Sequence, residues 1–385
     1  MLKNRLKLVS CLISVMALVM SVGFESGAAQ AAGANLTQQS KSVALKAGAL
    51  CPSTTCAIPL PGQVPKGIKI GFANGGVGFA FLNEQQAIFL ALAKRYGWVP
   101  YVLNNNASGP TAVTNMEQFA EDKVQYLLEF QIDQTVNPVL CAKAHSANIT
   151  MITEAIPGPC EYFTSDDDHA TGVAAGQKLG VYAKTNWDCK PDLVLLAAST
   201  STGLASTERV GGDIDGVKSI CPNIPQKDFV EFQMNNDNAT GIGDARDSLV
   251  ANPNAKRILV GGLNDLGVTQ AITAAEQLGR AGQLWAWGGD GSDLGTDTDP
   301  HYHGSIQFFL EAGILPAFTI ALELAAGDNV KKGFSPLDPT LIQQTCAMTE
   351  QQALHIPTIQ QRGTKELAEY PTETAAQLYC PKTTS

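Results

Sequence analysis

Asn264, Asp265 and Asp290 are the side chains whose placement first suggests chemistry. They lie in the stretch ILVGGLNDLGVTQAITAAEQLGRAGQLWAWGGDGS (258–292). The first two follow the hydrophobic run that opens it, and Asp290 sits between Gly289 and Gly291 after the run that closes it. Amides and carboxylates exchange hydrogen bonds with neighbouring hydroxyls, which is the chemistry of solute recognition. Each residue also has a plainer use. Asp290 can shape a glycine turn, and Asn264 and Asp265 can cap the following helix. Asp265 is expected to cap and Asn264 to face a ligand. The chain carries no G-x-S-x-G elbow, no H-E-x-x-H and no nucleophile motif with a partnered base, so it does not read as an enzyme. The run Asp293, Asp297, Asp299, His301 and His303 suggests a metal site, yet it lacks the glycine and terminal glutamate of a calcium loop. An acidic surface loop is expected there, with no metal and no cofactor.

The stretch 258–292 that must hold these residues reads as strand, loop, amphipathic helix, Gly279 stop and second strand. Two apolar runs of strand length around a helix mark a βαβ unit of a parallel sheet. In open sheets of this kind ligands bind beyond the carboxyl ends of the strands, where the three polar residues stand. Trp285 and Trp287 alternate along the second strand and are expected to pack on its faces.

The same alternation runs through the chain. Strands are expected at 69–73, 100–103, 126–130 and 149–154, with helices at 82–96, 111–122 and 135–146. After Pro157-Gly158-Pro159 a second set follows, with strands at 162–164, 193–197 and 229–233 and helices at 170–184, 206–220 and 239–251. One more strand (305–309) and one more helix (314–326) precede a polar, cysteine-bracketed end from about Thr340. Repeated βα units imply parallel sheets covered by helices on both faces. Two sets in series imply two similar lobes.

The chain has 385 residues, 44% hydrophobic and 16% charged, with a net charge of −10. That is enough apolar material for packed cores, and acidity argues against a nucleic-acid partner. Lys3, Arg5 and Lys7 precede an apolar run from Leu12 to Val22 and the A-x-A site Ala29-Gln30-Ala31, the pattern of a cleaved Sec signal peptide over 1–31. Leu8-Val9-Ser10-Cys11 precedes that apolar run, which is the wrong order for a lipoprotein box. No later segment approaches the ~20 apolar residues of a membrane span. An exported protein of the periplasm, not embedded in the membrane, is expected. Residues 32–65 read as an extended arm, with order beginning at Lys66.

Cys11 leaves with the signal, and Cys51, Cys56, Cys141, Cys160, Cys189, Cys221, Cys346 and Cys380 remain. An even number in an exported chain points to disulfides. Closeness along the chain favours 51–56, 141–160, 189–221 and 346–380.

Five segments in order resemble the type 1 periplasmic solute-binding proteins of the sugar-binding, ribose-binding-protein-like group of ABC transporters. They are KIGFANGGVGFAFLNEQQAIFLALAKRYGW, FTSDDDHATGVAAGQKLG, STGLASTERVGGDIDGVKS, LNDLGVTQAITAAEQLG and WGGDGS. The resemblance covers roughly 66–340. It implies an α/β fold of two Rossmann-like lobes with parallel sheets, joined by a hinge of three crossings near Phe163, Phe308 and Phe334. The first lobe is then 66–163 plus 309–334, the second 164–308 plus 335–360, and 361–385 a C-terminal tail.

Carried over position by position, the resemblance assigns ligand contacts to Phe79, Phe81, Glu129, Glu154, Arg209, Asn264, Asp290 and Phe308. This chain departs from the sugar-binder pattern at Ala155-Ile156, at Phe308 and in the loop Phe79-Ala80-Phe81-Leu82, and each departure makes the cleft more apolar. The resemblance implies a monomer that binds a sugar or related small polyol and delivers it to an inner-membrane ABC permease. The alternative is presentation of bound solute to a chemoreceptor or sensor kinase.

Overall fold

A computed structural model of the chain describes residues 59–295, 299–332, 341–342, 345–357 and 379–380. The signal peptide, most of the arm, the Cys51–Cys56 loop, Asp297, Phe334 and nearly all of the tail lie outside the described residues.

The first sheet is built from β1 (Lys69–Asn74), β2 (Val99–Asn104), β3 (Tyr126–Glu129), β4 (Thr150–Glu154) and β5 (Tyr162–Ser165). The helices between them are α1 (Ala80–Tyr96), α2 (Gly109–Glu121) and α3 (Asn137–Ser146). The second lobe runs α4 (Asp168–Trp187), β6 (Leu193–Ala198), α5 (Leu204–Ile220), β7 (Phe229–Gln233), α6 (Asn238–Ala251), β8 (Ile258–Gly262), α7 (Asp265–Gln277) and β9 (Leu284–Ala286). The remaining elements are β10 (Gly304–Gln307), α8 (Ile314–Ala326), β11 (Leu341–Ile342), β12 (Cys346–Thr349) and the one-turn α9 (Glu350–Ala353).

The first sheet has the order β11-β5-β4-β3-β1-β2 and the second β7-β6-β8-β9, every pairing in both being parallel. Each has apolar clusters on both faces. In the first lobe α1 and α8 cover one side and α2 and α3 the other. In the second, α6 and α7 oppose α4 and α5. That double covering is why β6 and β8 are buried at every residue and could be read as continuous apolar runs. Helix ends also follow the local signals. Gly97 ends α1 in the left-handed region at φ 68°, and Asp167 and Asp237 cap α4 and α6.

Three pairings expected from sequence closeness are present: Cys141–Cys160, Cys189–Cys221 and Cys346–Cys380. Trp285 packs on a sheet face as expected, stacked on Tyr182 at 4.4 Å and on His303 at 5.0 Å.

Two expectations are corrected. Order begins before Lys66, because the Tyr96 hydroxyl donates to the Pro59 carbonyl, Trp98 Nε1 donates to that of Pro65, and Val64 is buried in the first-lobe core. The end of the chain is also more than a polar tail. Leu341–Ile342 adds to the first sheet beside Thr164 and Ser165, and Cys346–Thr349 pairs antiparallel with β10. The segment 335–360, expected in the second lobe, therefore contributes to both. These short strands carry no alternation a sequence reading can detect, since two residues are too few for a period.

Candidate solute-binding cleft

A cleft of about 680 Å³ lies among the carboxyl ends of both sheets. The turns that line it follow β1, β3, β4 and β5 on one side and β6, β7, β8 and β9 on the other, joined by the stretch from Gln307 to Gly313. That is the position at which open α/β sheets bind ligands, and the volume suits a small molecule.

On the second-lobe side, α5 carries Arg209 inward. Its approach depends on Gly172 of α4, where a Cβ would stand 2.1 Å from the Arg209 carbonyl oxygen. Arg209 is buried, and its Nε donates to Asp168 at 2.6 Å, its Nη2 to Asp166 at 3.2 Å and its Nη1 to the Leu263 carbonyl at 3.1 Å. Its guanidinium lies 4.5 Å from the centre of the Phe308 ring. Burial alone would weaken its hold on the proton, but Asp166, Asp168 and Asp290 outweigh this and raise its pKa. Burial and the neighbouring Asp166 push Asp168 well above the usual carboxylate range, against the pull of Arg209.

Beside this pair stands the loop after β9. Asp265, fully buried, accepts from the backbone of Gly289, Asp290 and Asp293 and from the hydroxyls of Tyr302 and Ser305. Gly288 has to be glycine, because a Cβ there would meet Asp265 Oδ1 at 2.0 Å. The cap of α7 is Asn264, whose Oδ1 accepts from Gly267 N at 3.0 Å. The expected cap is corrected: Asn264 caps, and Asp265 ties the loop. Asn264 nevertheless lines the cleft, since a cap sits at the strand-to-helix turn where the cleft opens. Asp290 Oδ1 accepts from Asp265 N at 3.1 Å and from the backbone and hydroxyl of Ser292. Burial, with Asp265 nearby, pushes Asp290 up to about 7 despite Arg209.

On the first-lobe side, Phe79 and Phe81 stand at the start of α1 and both line the cleft, with Phe81 edge-on to Phe130 at 5.7 Å. Glu154 ends β4 and also lines it. Gln85 Nε2 bridges Glu154 Oε1 at 2.7 Å and the Leu310 carbonyl at 2.6 Å. Burial pushes Glu154 up to about 8, against the hydrogen bond from Gln85.

Glu129 is not in the cleft. It is buried behind it, accepting from Asn105 at 3.0 Å, and burial raises it to about 8. Side chains alternate along β3, with Leu127 facing the α2/α3 core and Leu128 and Phe130 the α1/α8 core. Glu129 follows Leu127, and Phe130 takes the cleft position.

The structure thus gathers Phe79, Phe81, Glu154, Arg209, Asn264, Asp290 and Phe308 in one lining. It adds Asp166, Thr164 and Gln307, which were not singled out from sequence. The Ser165-Asp166-Asp167-Asp168 run was the available signal, but sequence does not tell which of three adjacent aspartates caps α4 and which pair with Arg209.

Residues 70–296 match the family described as periplasmic binding protein domain, and the chain belongs to that family. It is a family of solute-binding proteins, not of enzymes. No curated protein sequence matches the chain. Solved structures share the fold. An ABC transporter solute-binding protein of Mycobacterium smegmatis with bound glycerol is 19% identical with a TM-score of 0.61, over 74% of this chain and 96% of that one. A second structure from Mycobacterium smegmatis, in complex with β-D-fucofuranose, is 17% identical with a TM-score of 0.62, over 79% and 98%. The myo-inositol-binding protein of Caulobacter is 15% identical with a TM-score of 0.58, over 75% and 96%. No helix among the described residues is long and apolar enough to cross a membrane.

Proposed function

We propose that this protein captures a sugar or small polyol in the inter-lobe cleft and delivers it to an inner-membrane ABC permease. The observation that carries the reading is the lining itself. Glu154, Phe79 and Phe81 come from the first lobe, and Arg209, Asn264, Asp290 and Phe308 from the second. A ligand touching both sides stabilises the form in which they are close, which is how hinge closure is driven. Carboxylates, an amide and a guanidinium suit hydroxyls, while Phe79, Phe81 and Phe308 suit the apolar C–H faces of a ring. The glycerol, fucofuranose and myo-inositol of the structurally similar proteins support the same solute class. Phe79, Phe81, Glu154, Arg209, Asn264, Asp290 and Phe308 are the proposed contacts, and Glu129 acts from behind the cleft.

The lobes are proposed to divide near Phe163 and Phe308, with the third passage between Lys332 and Cys346. A signal peptide over 1–31 takes the chain to the periplasm, where it works as a monomer. Thermal-shift measurements against a panel of sugars and polyols test the reading. A bound solute at 100 times its Kd stabilises the native form by about 2.7 kcal/mol. A panel in which no sugar or polyol raises the melting temperature would remove this function.

A further inference from the structure

Helices α4, α6 and α7 are capped by their own Asp167, Asp237 and Asn264, whereas α5 starts after Gly203, which has no side chain to cap with. A donor of its first turn is met instead from the opposite lobe. Leu204 N donates to Gln134 Oε1 at 2.8 Å, and Gln134 N donates to the Ser201 carbonyl at 3.1 Å. Gln134 belongs to the short turn between β3 and α3 of the first lobe, and 199–204 is the turn after β6 of the second. Gly203 is held to glycine twice over, by its φ of 65° and because a Cβ there would collide with Gln134 Oε1.

Each half of this contact is fixed within its own lobe. Asp133 Oδ1 accepts from the backbone and the hydroxyl of Thr135 at 2.9 and 2.6 Å, which shapes the turn that presents Gln134. Val136, in the same turn, lies so close to Gly109 of α2 that a Cβ there would collide with it. On the other side Ser199 N donates to the Ser206 hydroxyl of α5 at 2.8 Å, and the Thr202 hydroxyl donates to Ser199 Oγ at 2.9 Å. The turn after β6 is thus tied to the helix it leads into. Two preformed halves lose little freedom when they join. Ser199, Ser201, Thr202, Ala205 and Arg209 line the cleft and Gln134 does not, which places the contact at the rim.

We propose that Gln134 is a latch between the lobes, a positioning residue that completes the amino end of α5 when the cleft closes and so holds it closed around a solute. This rests on the solute-capture reading of the same cleft and adds what keeps the closed form together. Helix α5 carries Arg209, so the closure that encloses the solute also finishes the helix that presents the guanidinium. Opening takes the partner from Leu204 N, and that loss opposes opening. The latch acts on the closed form and not on the solute. It therefore raises affinity for every solute by one factor, set by the fraction of protein that is closed. Release requires opening, so the effect lies mainly in the dissociation rate.

The test compares the purified protein with its Gln134→Ala and Gln134→Glu variants, titrated with glucose, galactose, myo-inositol and glycerol by calorimetry and stopped-flow fluorescence. Gln134→Ala should weaken every binder by the same factor, about three- to tenfold or about 0.7–1.4 kcal/mol, through faster release. Gln134→Glu keeps an acceptor for Leu204 N and puts negative charge at a helix amino end, so it should bind within about twofold of the parent. Unchanged affinity in Gln134→Ala, or a melting temperature lowered equally with and without solute, would overturn the latch and leave the sugar-or-polyol reading standing. So would a Gln134→Glu variant as weak as the alanine one. A loss confined to one of several binders would mark a direct contact and overturn the latch too. If none of these solutes and no other sugar or polyol binds, the sugar-or-polyol reading falls, and the latch is judged by small-angle X-ray scattering of the solute-free protein. Gln134→Ala should then have the larger radius of gyration, and equal values would overturn the latch as well.

Discussion

Asp290 and Glu154 end strands on opposite sides of one cleft, and burial raises the pKa of both, yet their surroundings differ. Around Asp290 the protein has closed nearly every hydrogen bond: Asp265 holds five donors, Arg209 holds two aspartates and a carbonyl, and Asn264 caps its helix. Around Glu154 it has not, since Glu154 Oε2, Thr164 Oγ1 and Gln85 Oε1 are all buried without partners. The second lobe thus presents a pre-tied platform, and the first lobe presents rings and open acceptors. Ligand energy is best gained where the free protein has left groups unmet, and positioning is best supplied where it has not.

The sharpest way to break this contrast is Arg209→Ala. Removing the guanidinium leaves Asp166 and Asp168 buried without a counter-charge, at a cost of about 3–5 kcal/mol. Urea denaturation should show that loss in the absence of any solute. An unchanged midpoint would mean that the platform is not held by this residue.

Asp265→Ala comes next. It strands the hydroxyls and backbone N–H groups of the β9 loop, and a loss of about 2–3 kcal/mol is expected because each unsatisfied group is costly. Solute affinity should fall with it, since the loop carries Asp290.

Asp290→Asn separates binding from folding. The loss of stability should be small, about 1 kcal/mol, because the asparagine Oδ1 still accepts from Asp265 N and from Ser292. The solute-induced thermal shift should drop by an amount matching at least a tenfold weaker Kd. Full affinity in this variant would take Asp290 out of the site.

Glu129→Gln has the smallest expected effect and depends on pH. Glu129 has its pKa raised to about 8 by burial, so the folded chain keeps a proton that the unfolded chain releases above about 4.5. Its contribution is therefore intact at low pH and lost as pH rises from about 4.5 toward 8. Glutamine accepts from Asn105 equally well and does not titrate. The variant should melt higher than the parent at pH 8, by on the order of 1 kcal/mol or about 2–4 °C. At pH 4.5 the two should melt together. A gain at both pH values would show that protonation is not the cause.

Much of the fold was legible because its signals are local. Apolar runs of strand length, helical periods and glycine stops place β1 to β9 and α1 to α8 within a few residues of where they lie. The short closing strands were not legible, because they owe their form to the edges they join. Within the site, sequence reached the right turns and missed the right atom in two of them. At Glu129 and Phe130 the cleft position fell one place along, and at Asn264 and Asp265 the cap fell one place early while Asn264 lines the cleft as expected.

Sequence by itself determined that the chain makes two sets of covered parallel strands, because hydrophobic period and helix capping are properties of adjacent residues. It also determined that polar groups gather where those strands stop. Only the tertiary structure decided which of them face the cleft, which are spent holding loops, and which are left open. Those outcomes depend on what arrives from elsewhere in the chain: Ser305 and Tyr302 at Asp265, Asn105 at Glu129, Gln85 at Glu154. A hydrogen bond is settled by distance and direction between partners remote in sequence, and neither is written at either residue alone.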